Sequence, residues 1–499
     1  MRKDNFAKNS FLLTASNITT GILGFIFSIY LSKTLGSVGM GLYSLIMPIY
    51  NLFICLMTAG IIAAISQISA VYTAKGEMNN LTKTVRSVAF FNIIWAVIIG
   101  IIVFFLAPFI SKYGVNDIRT VNAIRVTCPA MVFIALSNIL KGYFFGVSKI
   151  AIPSFIDILE KAMRIITIGL LVFMFNATTL TSLVTLAYIS LAIGELQSLL
   201  LLYIYYRYVC GTTPKTSEKP ERRSQLLFNV LIISLPLCIN GFLGNIFGTI
   251  STLIVPHRLV AAGFESSVAL GMIGKFTGMA FAIIGFPMIV IGSINSLIIP
   301  DLSQTLSRGE YYNASIRIKK VLKIAFLLGL ATTIICNIIP DSLGIMFFSR
   351  DDLGEYIRIG SLCAPIFFTA SCTFGILNGL NKQGVILRNC LITAALELVC
   401  LYIFIGIPSI NILGYALTLF ITSTVTLIIN MYEVKKYLEL NLSKYNIAIF
   451  SLLAILTFLF LNIISKTILS DLFIIKNLTI ILGTFAIFAV LSFFGIEDD

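Results

Sequence analysis

The chain has 499 residues, of which 58% are hydrophobic and 11% are charged. Soluble proteins carry about 25% charged residues, so this composition excludes a water-soluble globule. The net charge is +13. Because no soluble domain could present a basic face, we assign this charge to loops that face anionic lipid, and not to nucleic-acid binding.

Continuous apolar runs of about 20 residues recur along the chain, and each could cross a bilayer core of about 30 Å as a helix. The first run, after a basic N-terminus, is too long for a signal-peptide core. We therefore predict an all-α integral membrane protein with about fourteen transmembrane helices. The predicted spans are 10–32, 40–70, 86–110, 121–145, 151–175, 182–209, 226–254, 268–299, 320–347, 356–379, 385–407, 411–434, 446–466 and 473–495.

A polar, charged segment at 210–225 predicts a linker between two groups of six helices. The expected organisation is an N-terminal lobe (1–209), this linker, a C-terminal lobe (226–440) and a terminal helix pair (441–499). Lysines and arginines of the connecting segments are concentrated on the side of the N-terminus. We therefore expect the linker and both termini to lie in the cytoplasm.

The two predicted lobes resemble each other at a nearly constant separation along the chain. The matching positions are Lys75-Gly76-Glu77 with Arg308-Gly309-Glu310, Pro129 with Pro365, Gly142 with Gly379, and Glu160 with Glu397. Six helices is an even number, so both copies share one orientation and form a parallel pseudo-repeat, as in some transporters. Such lobes enclose a central site that opens to one side at a time.

The fifth predicted helix carries four charged residues on one face, Asp157, Glu160, Lys161 and Arg164. Counted from Pro153, Arg164 lies about 17 Å along the helix, near the membrane midplane. Four charges facing lipid would cost roughly 10–14 kcal/mol, so this face must line a wet cavity or a protein interior.

Two interpretations of this charged face remain open. In one, Asp157–Lys161 and Glu160–Arg164 neutralise each other and only hold the lobe together. In the other, Lys161 and Arg164 bind an anionic substrate, while Asp157 and Glu160 couple transport to a cation or proton.

Four further charged residues are candidates. Glu195 and Glu397 lie near mid-membrane and suit coupling to a proton or sodium ion, or they form inter-helix hydrogen bonds. Lys275 either attracts an anionic substrate or extends to the outer surface. Arg258 lies at the outer mouth, where it contacts substrate or anchors to lipid headgroups.

Two asparagines complete the candidate substrate-binding set. Asn17 belongs to a stripe of small and polar residues on the first helix, which lines a cavity or forms a packing seam. Asn51 lies in the second helix.

Because the chain has one histidine, His257, no metal-ligand spacing of cysteines and no P-loop, we expect no metal, no cofactor, no enzyme activity and no ATP hydrolysis. An ion gradient of Na⁺ or H⁺, the membrane potential or the substrate itself must then drive transport.

Several segments resemble the polysaccharide-transporter branch of the multidrug/oligosaccharidyl-lipid/polysaccharide exporter superfamily, along essentially the whole chain. They are Gly41-Leu42-Tyr43 through Pro48-Ile49-Tyr50-Asn51 to Ala64-Ile65-Ser66, Pro153-Ser154 leading to Glu160 and Arg164, Ile254-Val255-Pro256-His257-Arg258-Leu259, and Gly274-Lys275-Phe276-Thr277-Gly278.

The resemblance implies two six-helix lobes, a terminal helix pair that can hold a lipid tail, and a flippase for lipid II, the undecaprenyl-pyrophosphate-linked peptidoglycan precursor used for spore cortex. Lipid II flippases of this superfamily use arginines on helices 1, 2 and 8, where this chain has none. Lys161, Arg164 and Lys275 are then the cations left to bind the pyrophosphate.

We expect a monomer, in contact with membrane lipids and a lipid-linked anionic substrate. The alternatives are a cation-coupled multidrug exporter and a non-transporting factor that recruits a cell-wall synthase.

Overall fold

The computed structural model describes residues 2–58, 60–212, 221–440, 444–467 and 473–493. These residues form helices joined by turns, with no strand among them. The helices are α1 (Arg2–Thr58), α2 (Ile61–Lys75), α3 (Met78–Phe109), α4 (Val121–Gly146), α5 (Ala151–Phe175), α6 (Leu180–Thr212), α7 (Arg223–Ala261), α8 (Ser266–Ile273), α9 (Phe281–Gly285), α10 (Met288–Ser307), α11 (Tyr311–Ile338), α12 (Pro340–Leu343), α13 (Gly354–Ser361), α14 (Ala364–Gly379), α15 (Gln383–Phe404), α16 (Leu413–Lys435), α17 (Lys444–Thr467) and α18 (Phe473–Phe493).

Within the described residues, twelve helical stretches are long and apolar enough to cross a membrane, or thirteen if the bent pair α13 and α14 is one span. This confirms the all-α membrane class, while the predicted count of fourteen is approximate. One reason is that α5 carries four charges. Another is that the stretch Leu12–Lys75, with 64 residues, is counted once although it is long enough for two crossings.

Two glycines interrupt this long stretch. Gly36 has φ +66° and Gly60 has φ +78°, a region that L-residues with a side chain rarely adopt. At Gly60 there is also no room, because an added Cβ would lie 2.6 Å from the Ser234 carbonyl oxygen of α7. These breaks separate the first crossing from the second, and the second crossing from its continuation in α2.

Internal contacts divide the chain into two units, Met1–His257 and Arg258–Asp499. Helix α7 lies almost entirely in the first unit. Its Thr249 hydroxyl donates to the Pro48 carbonyl oxygen at 3.1 Å, and its Cys238 thiol lies 3.7 Å from the Cys55 carbonyl oxygen. The division by internal contacts thus falls near the C-terminal end of α7, and the lobe boundary expected at 226 stays a prediction.

Most of the expected linker, 213–220, lies outside the described residues. Its C-terminal end is held on α3: the Glu221 backbone N–H donates to the Asn80 side chain at 2.9 Å. The Lys83 ammonium donates to the Glu221 carbonyl oxygen at 2.5 Å.

The turn that follows each long broken helix has the same geometry in both units. Gly76 and Gly309 both have φ +77°, which permits the left-handed helix ending. In the first unit Asn80 donates to the Glu77 carboxylate at 2.8 Å. In the second, Asn313 donates to the Glu310 carboxylate at 2.9 Å. The repeat expected from the Gly-Glu matches is therefore present in the hydrogen bonding.

Left-handed residues recur at corresponding places elsewhere in the two units. The non-glycine pairs are Asn116 and Ser349 (φ +60° and +55°), Ser148 and Asn381 (φ +61° and +57°), and Asn176 and Asn411 (φ +43° and +47°). Asparagine tolerates this conformation better than most residues with a side chain. The helices of each unit thus end at matching turns.

The matched glycines Gly142 and Gly379 lie at equivalent helix crossings. A Cβ added at Gly142 would lie 2.9 Å from the Ile62 carbonyl oxygen of α2. One added at Gly379 would lie 3.0 Å from the Leu302 side chain of α10. Small residues let membrane helices approach this closely.

The terminal helix pair packs on α11. Leu327, Ala331 and Ile334 of α11 form an apolar cluster with Leu461 of α17 and Phe488 of α18. The pair is therefore anchored to the second unit by ordinary apolar packing.

We expect Gly142→Val to destabilise the protein by about 1–3 kcal/mol, because the side chain would force α2 and α4 apart. Thermal unfolding of the purified protein in detergent would measure this. Gly248→Val in α7 is the matched control, since an added Cβ there meets nothing within 4 Å. Equal melting of the two variants would contradict the close α2–α4 crossing.

Candidate functional site

Helix α5 presents its four charges on one face, as predicted. It ends at Asn176, whose left-handed backbone stops the helix. The face is not uniform: Glu160 and Arg164 are buried, whereas the Asp157 and Lys161 side chains are 34% and 33% exposed. Partly exposed and buried residues therefore alternate along the charged face.

The ion pairs on this face differ in part from those expected. The pair between Arg164 and Glu160 is confirmed, with 2.5 Å between Nη2 and Oε1. The pair between Asp157 and Lys161 is wrong. Asp157 instead binds Lys141 of α4 at 2.6 Å, and Lys161 binds the second oxygen of Glu160 at 2.8 Å.

Glu195 of α6 joins the same cluster. Its Oε1 lies 3.4 Å from Arg164 Nη2, so the guanidinium bridges two carboxylates from neighbouring helices. Gly194 permits this approach, because a Cβ there would lie 3.1 Å from Glu160 Oε1. The ring of Phe27 lies 5.8 Å from the guanidinium carbon. Sequence spacing on α6 alone gave no sign of this partner, which is supplied by helix packing.

The six groups form what we call the α5 cluster: Lys141, Asp157, Glu160, Lys161, Arg164 and Glu195. Three are formally cationic and three anionic, so the cluster is neutral as a whole. Breaking a buried ion pair leaves an uncompensated charge at high energetic cost. A bundle that keeps these residues inside the membrane region therefore needs them as a set. Lys141 was missed because its partner lies on another helix.

Lys275 and Arg258 belong to the second unit, and both are engaged there. Lys275 lies in a π-helical turn, Gly274–Ala280, and its ammonium binds Asp352 at 2.7 Å. Asp352 also accepts from Arg350 at 2.6 Å. The Arg350 hydrogen bond, with Lys275 beside it, holds the pKa of the Asp352 carboxyl well below its usual range. Asp352 thus stays ionised and compensates Lys275 at any working pH.

Arg258 is fixed on α15. Its Nε donates to the Tyr402 carbonyl oxygen at 2.9 Å, and its guanidinium carbon lies 4.0 Å from the centre of the Tyr402 ring.

Glu397 is also on α15 and is half-buried. In the first unit, Asn17 and Asn51 have exposed side chains. The structure therefore brings Glu195 to the α5 charges, while Lys275, Arg258 and Glu397 lie in the other unit.

A polar network in the second unit escaped sequence analysis. Asn389 of α15 donates to Asn430 of α16 at 2.8 Å, and Asn430 donates to the Thr373 hydroxyl of α14 at 2.7 Å. Arg388 donates to Asn389 at 3.0 Å and to Glu433 at 2.6 Å. Asparagines are too common in sequences for these to stand out without the three-helix packing that joins them.

A chain of many long apolar helices, with charged groups paired between them, defines a polytopic integral membrane protein. The family model for polysaccharide biosynthesis proteins matches residues 6–306, so the chain belongs to that family.

Curated relatives from Bacillus subtilis (strain 168) extend the match. Stage V sporulation protein B is 23% identical over 446 residues, covering 89% of this chain and 86% of the relative. The lipid II flippase MurJ is 21% identical over 414 residues, covering 79% and 76%.

Two solved structures share the fold. A lipid II flippase MurJ in an inward closed conformation has a TM-score of 0.72 at 14% identity, covering 96% of this chain and 98% of that one. An inward-facing multidrug resistance MATE family transporter has a TM-score of 0.64 at 14% identity, covering 86% and 98%. The chain therefore shares its fold with these two membrane transporters.

We expect Arg164→Met to destabilise the protein by about 3–5 kcal/mol, since Glu160 and Glu195 would lose their shared cation. Adding Glu195→Gln should restore part of this loss, because one of the two carboxylates is then neutral. Thermal unfolding in detergent of the single and double variants measures the coupling. A double variant whose loss equals the sum of the two single losses would show that Arg164 and Glu195 do not interact.

Proposed function

We propose that the chain is an alternating-access flippase that moves an undecaprenyl-pyrophosphate-linked peptidoglycan precursor of the lipid II class across the cytoplasmic membrane. One structural observation carries the proposal: the Lys161 side chain is 33% exposed about midway along a membrane-spanning helix, next to Glu160 and Arg164, which are buried. The names of two relatives, a sporulation protein and a lipid II flippase, support this cargo.

Depth and charge suit Lys161 to a pyrophosphate. Lys161 lies ten residues after the start of α5, which is about 15 Å along the helix and half of a bilayer core of about 30 Å. An ammonium has three donors, and the described contacts use one for Glu160. Glu160 keeps Arg164 at 2.5 Å when Lys161 turns towards an anion, so cargo binding leaves the buried part of the cluster paired.

Glu195 suits the coupling step. Of the two carboxylates around Arg164, it makes the longer contact, 3.4 Å against 2.5 Å. A carboxylate that makes one long ion-pair contact can exchange that contact for a proton or Na⁺ at a lower free-energy cost than a carboxylate that makes two short ones. In this proposal Glu195 takes up the coupling ion, while Asp157 and Glu160 keep the lysines in place.

The cellular setting is a further part of the proposal. We propose a multi-pass protein of the cytoplasmic membrane, with both termini inside, that acts as a monomer without a cofactor and supplies precursor for spore cortex. A cell-wall synthase that consumes the flipped precursor is the expected protein partner. The chain carries out transport and no chemical conversion of its cargo.

A cation-coupled multidrug exporter is the second candidate. The observation that favours it is the set of three carboxylates in the α5 cluster, which suits cationic compounds. The fold shared with multidrug transporters is compatible with either cargo.

Translocation by the purified protein in liposomes tests the proposal. With a fluorescent lipid II analogue in the inner leaflet, we expect its appearance in the outer leaflet to depend on the protein. Lys161→Gln should slow it by at least about tenfold, because one charge-assisted bond to pyrophosphate is lost. Lys149→Gln is the matched control, since Lys149 is exposed in the turn before α5.

Two outcomes would overturn the proposal. Wild-type protein that does not accelerate lipid II movement, yet transports a cationic dye, would favour the exporter. Lys161→Gln protein with wild-type rates would remove Lys161 from the cargo site.

A further inference from the structure

Helices α3 and α4 form an apolar groove that plays no part in the α5 cluster. Its volume is about 240 Å³, and its wall includes Val97, Gly100 and Phe104 of α3 with Pro129 and Val132 of α4. We refer to it as the α3–α4 groove. All the side chains that line it are apolar, so it offers a surface to a hydrocarbon chain and nothing to a polar solute.

The groove exists because of Gly100. A Cβ added at this position would meet no atom nearer than 3.9 Å, the Cys128 carbonyl oxygen. Close helix packing therefore does not require a glycine at position 100, in contrast to Gly142. The space in front of Gly100 stays open. A larger residue would fill the groove without moving the backbone.

The groove is open to the exterior of the protein. Ile101 and Phe105, which also line it, have exposed fractions of 52% and 75%. On a membrane-spanning helix such apolar side chains contact lipid chains. The groove therefore opens to the bilayer.

A cation lies at one end of the groove. The guanidinium carbon of Arg125 lies 4.9 Å from the centre of the Phe104 ring. Its Nε is buried and has no hydrogen-bond partner among the described residues. A buried hydrogen-bond donor without an acceptor is energetically unfavourable, and the apolar side chains of the groove provide no acceptor for Arg125.

The axial order of these features matches a phospholipid. Arg125 lies four residues after the start of α4 and Val132 seven residues further, about 6 Å and about 16 Å along the helix. The cation is thus near the membrane surface, and the groove runs from it towards the midplane. Arginine at this depth meets phosphate groups, while acyl chains extend inward.

We propose that the α3–α4 groove is a binding site for one anionic phospholipid, with its phosphate on Arg125 and one acyl chain along Gly100. Charge complementarity favours an anionic over a zwitterionic headgroup. The site is separate from the α5 cluster and does not depend on the proposed cargo.

Native mass spectrometry of the purified protein tests this with two lipids of identical acyl chains, phosphatidylglycerol and phosphatidylcholine. We expect wild-type protein to retain phosphatidylglycerol about tenfold better, the effect of one charge-assisted contact. Arg125→Gln should abolish this preference. Gly100→Leu should reduce binding of both lipids at this site, because it fills the groove.

The controls separate binding from folding. Gly483→Leu of α18 also adds a side chain where nothing lies within 4 Å, and it should bind as wild type. Thermal unfolding in detergent should show Gly100→Leu and Arg125→Gln folded. Equal retention of the two lipids by wild type, or Gly100→Leu binding like wild type, would overturn the proposal. Binding of a polyprenyl phosphate that depends on Gly100, without phosphatidylglycerol binding, would overturn it in favour of a prenyl-chain site.

Discussion

Charge buried among membrane-spanning helices has to be neutralised, and in the first unit one guanidinium does this for two helices. Arg164 of α5 binds Glu160 on its own helix and Glu195 on α6. Gly194 allows α6 to approach Glu160 closely. The second oxygen of Glu160 forms an ion pair with Lys161. The packing of α5 on α6 therefore depends on a single buried arginine.

The two units share a backbone plan but not this interaction. Their turns use left-handed residues at matching places, and their close crossings use matching glycines. Yet the residue four positions after Glu397 is Leu401, where Arg164 follows Glu160 by the same interval. Leu401 is fully buried. The second unit instead joins α14, α15 and α16 through Asn389 and Asn430, with Arg388 and Glu433 at the edge of this network. The repeated fold thus carries the Arg164 ion pairs in one copy and no charge at the corresponding position in the other.

Local patterns could be predicted from the sequence, and contacts between helices could not. Apolar runs specify the membrane helices, and the spacing of Asp157, Glu160, Lys161 and Arg164 specifies one charged face, because both depend on a single helix. The partner of Asp157 is Lys141, which depends on how α4 packs on α5. The break at Gly60, inside the predicted span 40–70, could not be predicted for a similar reason: it lies in an apolar stretch and depends on the close approach of Ser234 of α7.

The central claim is that Lys161 lies on a water-accessible part of the charged face of α5, although Glu160 and Arg164 beside it are buried. Cysteine labelling tests it most directly, in protein whose nine native cysteines, all free of disulfides, are replaced. A charged, water-soluble thiol reagent should label Lys161→Cys. It should spare Ile166→Cys, which faces outward with 53% exposure, and Ile168→Cys, which is fully buried. Labelling confined to Lys161→Cys is the predicted result. Protection of all three positions would show that the charged face is dry, and would contradict this account.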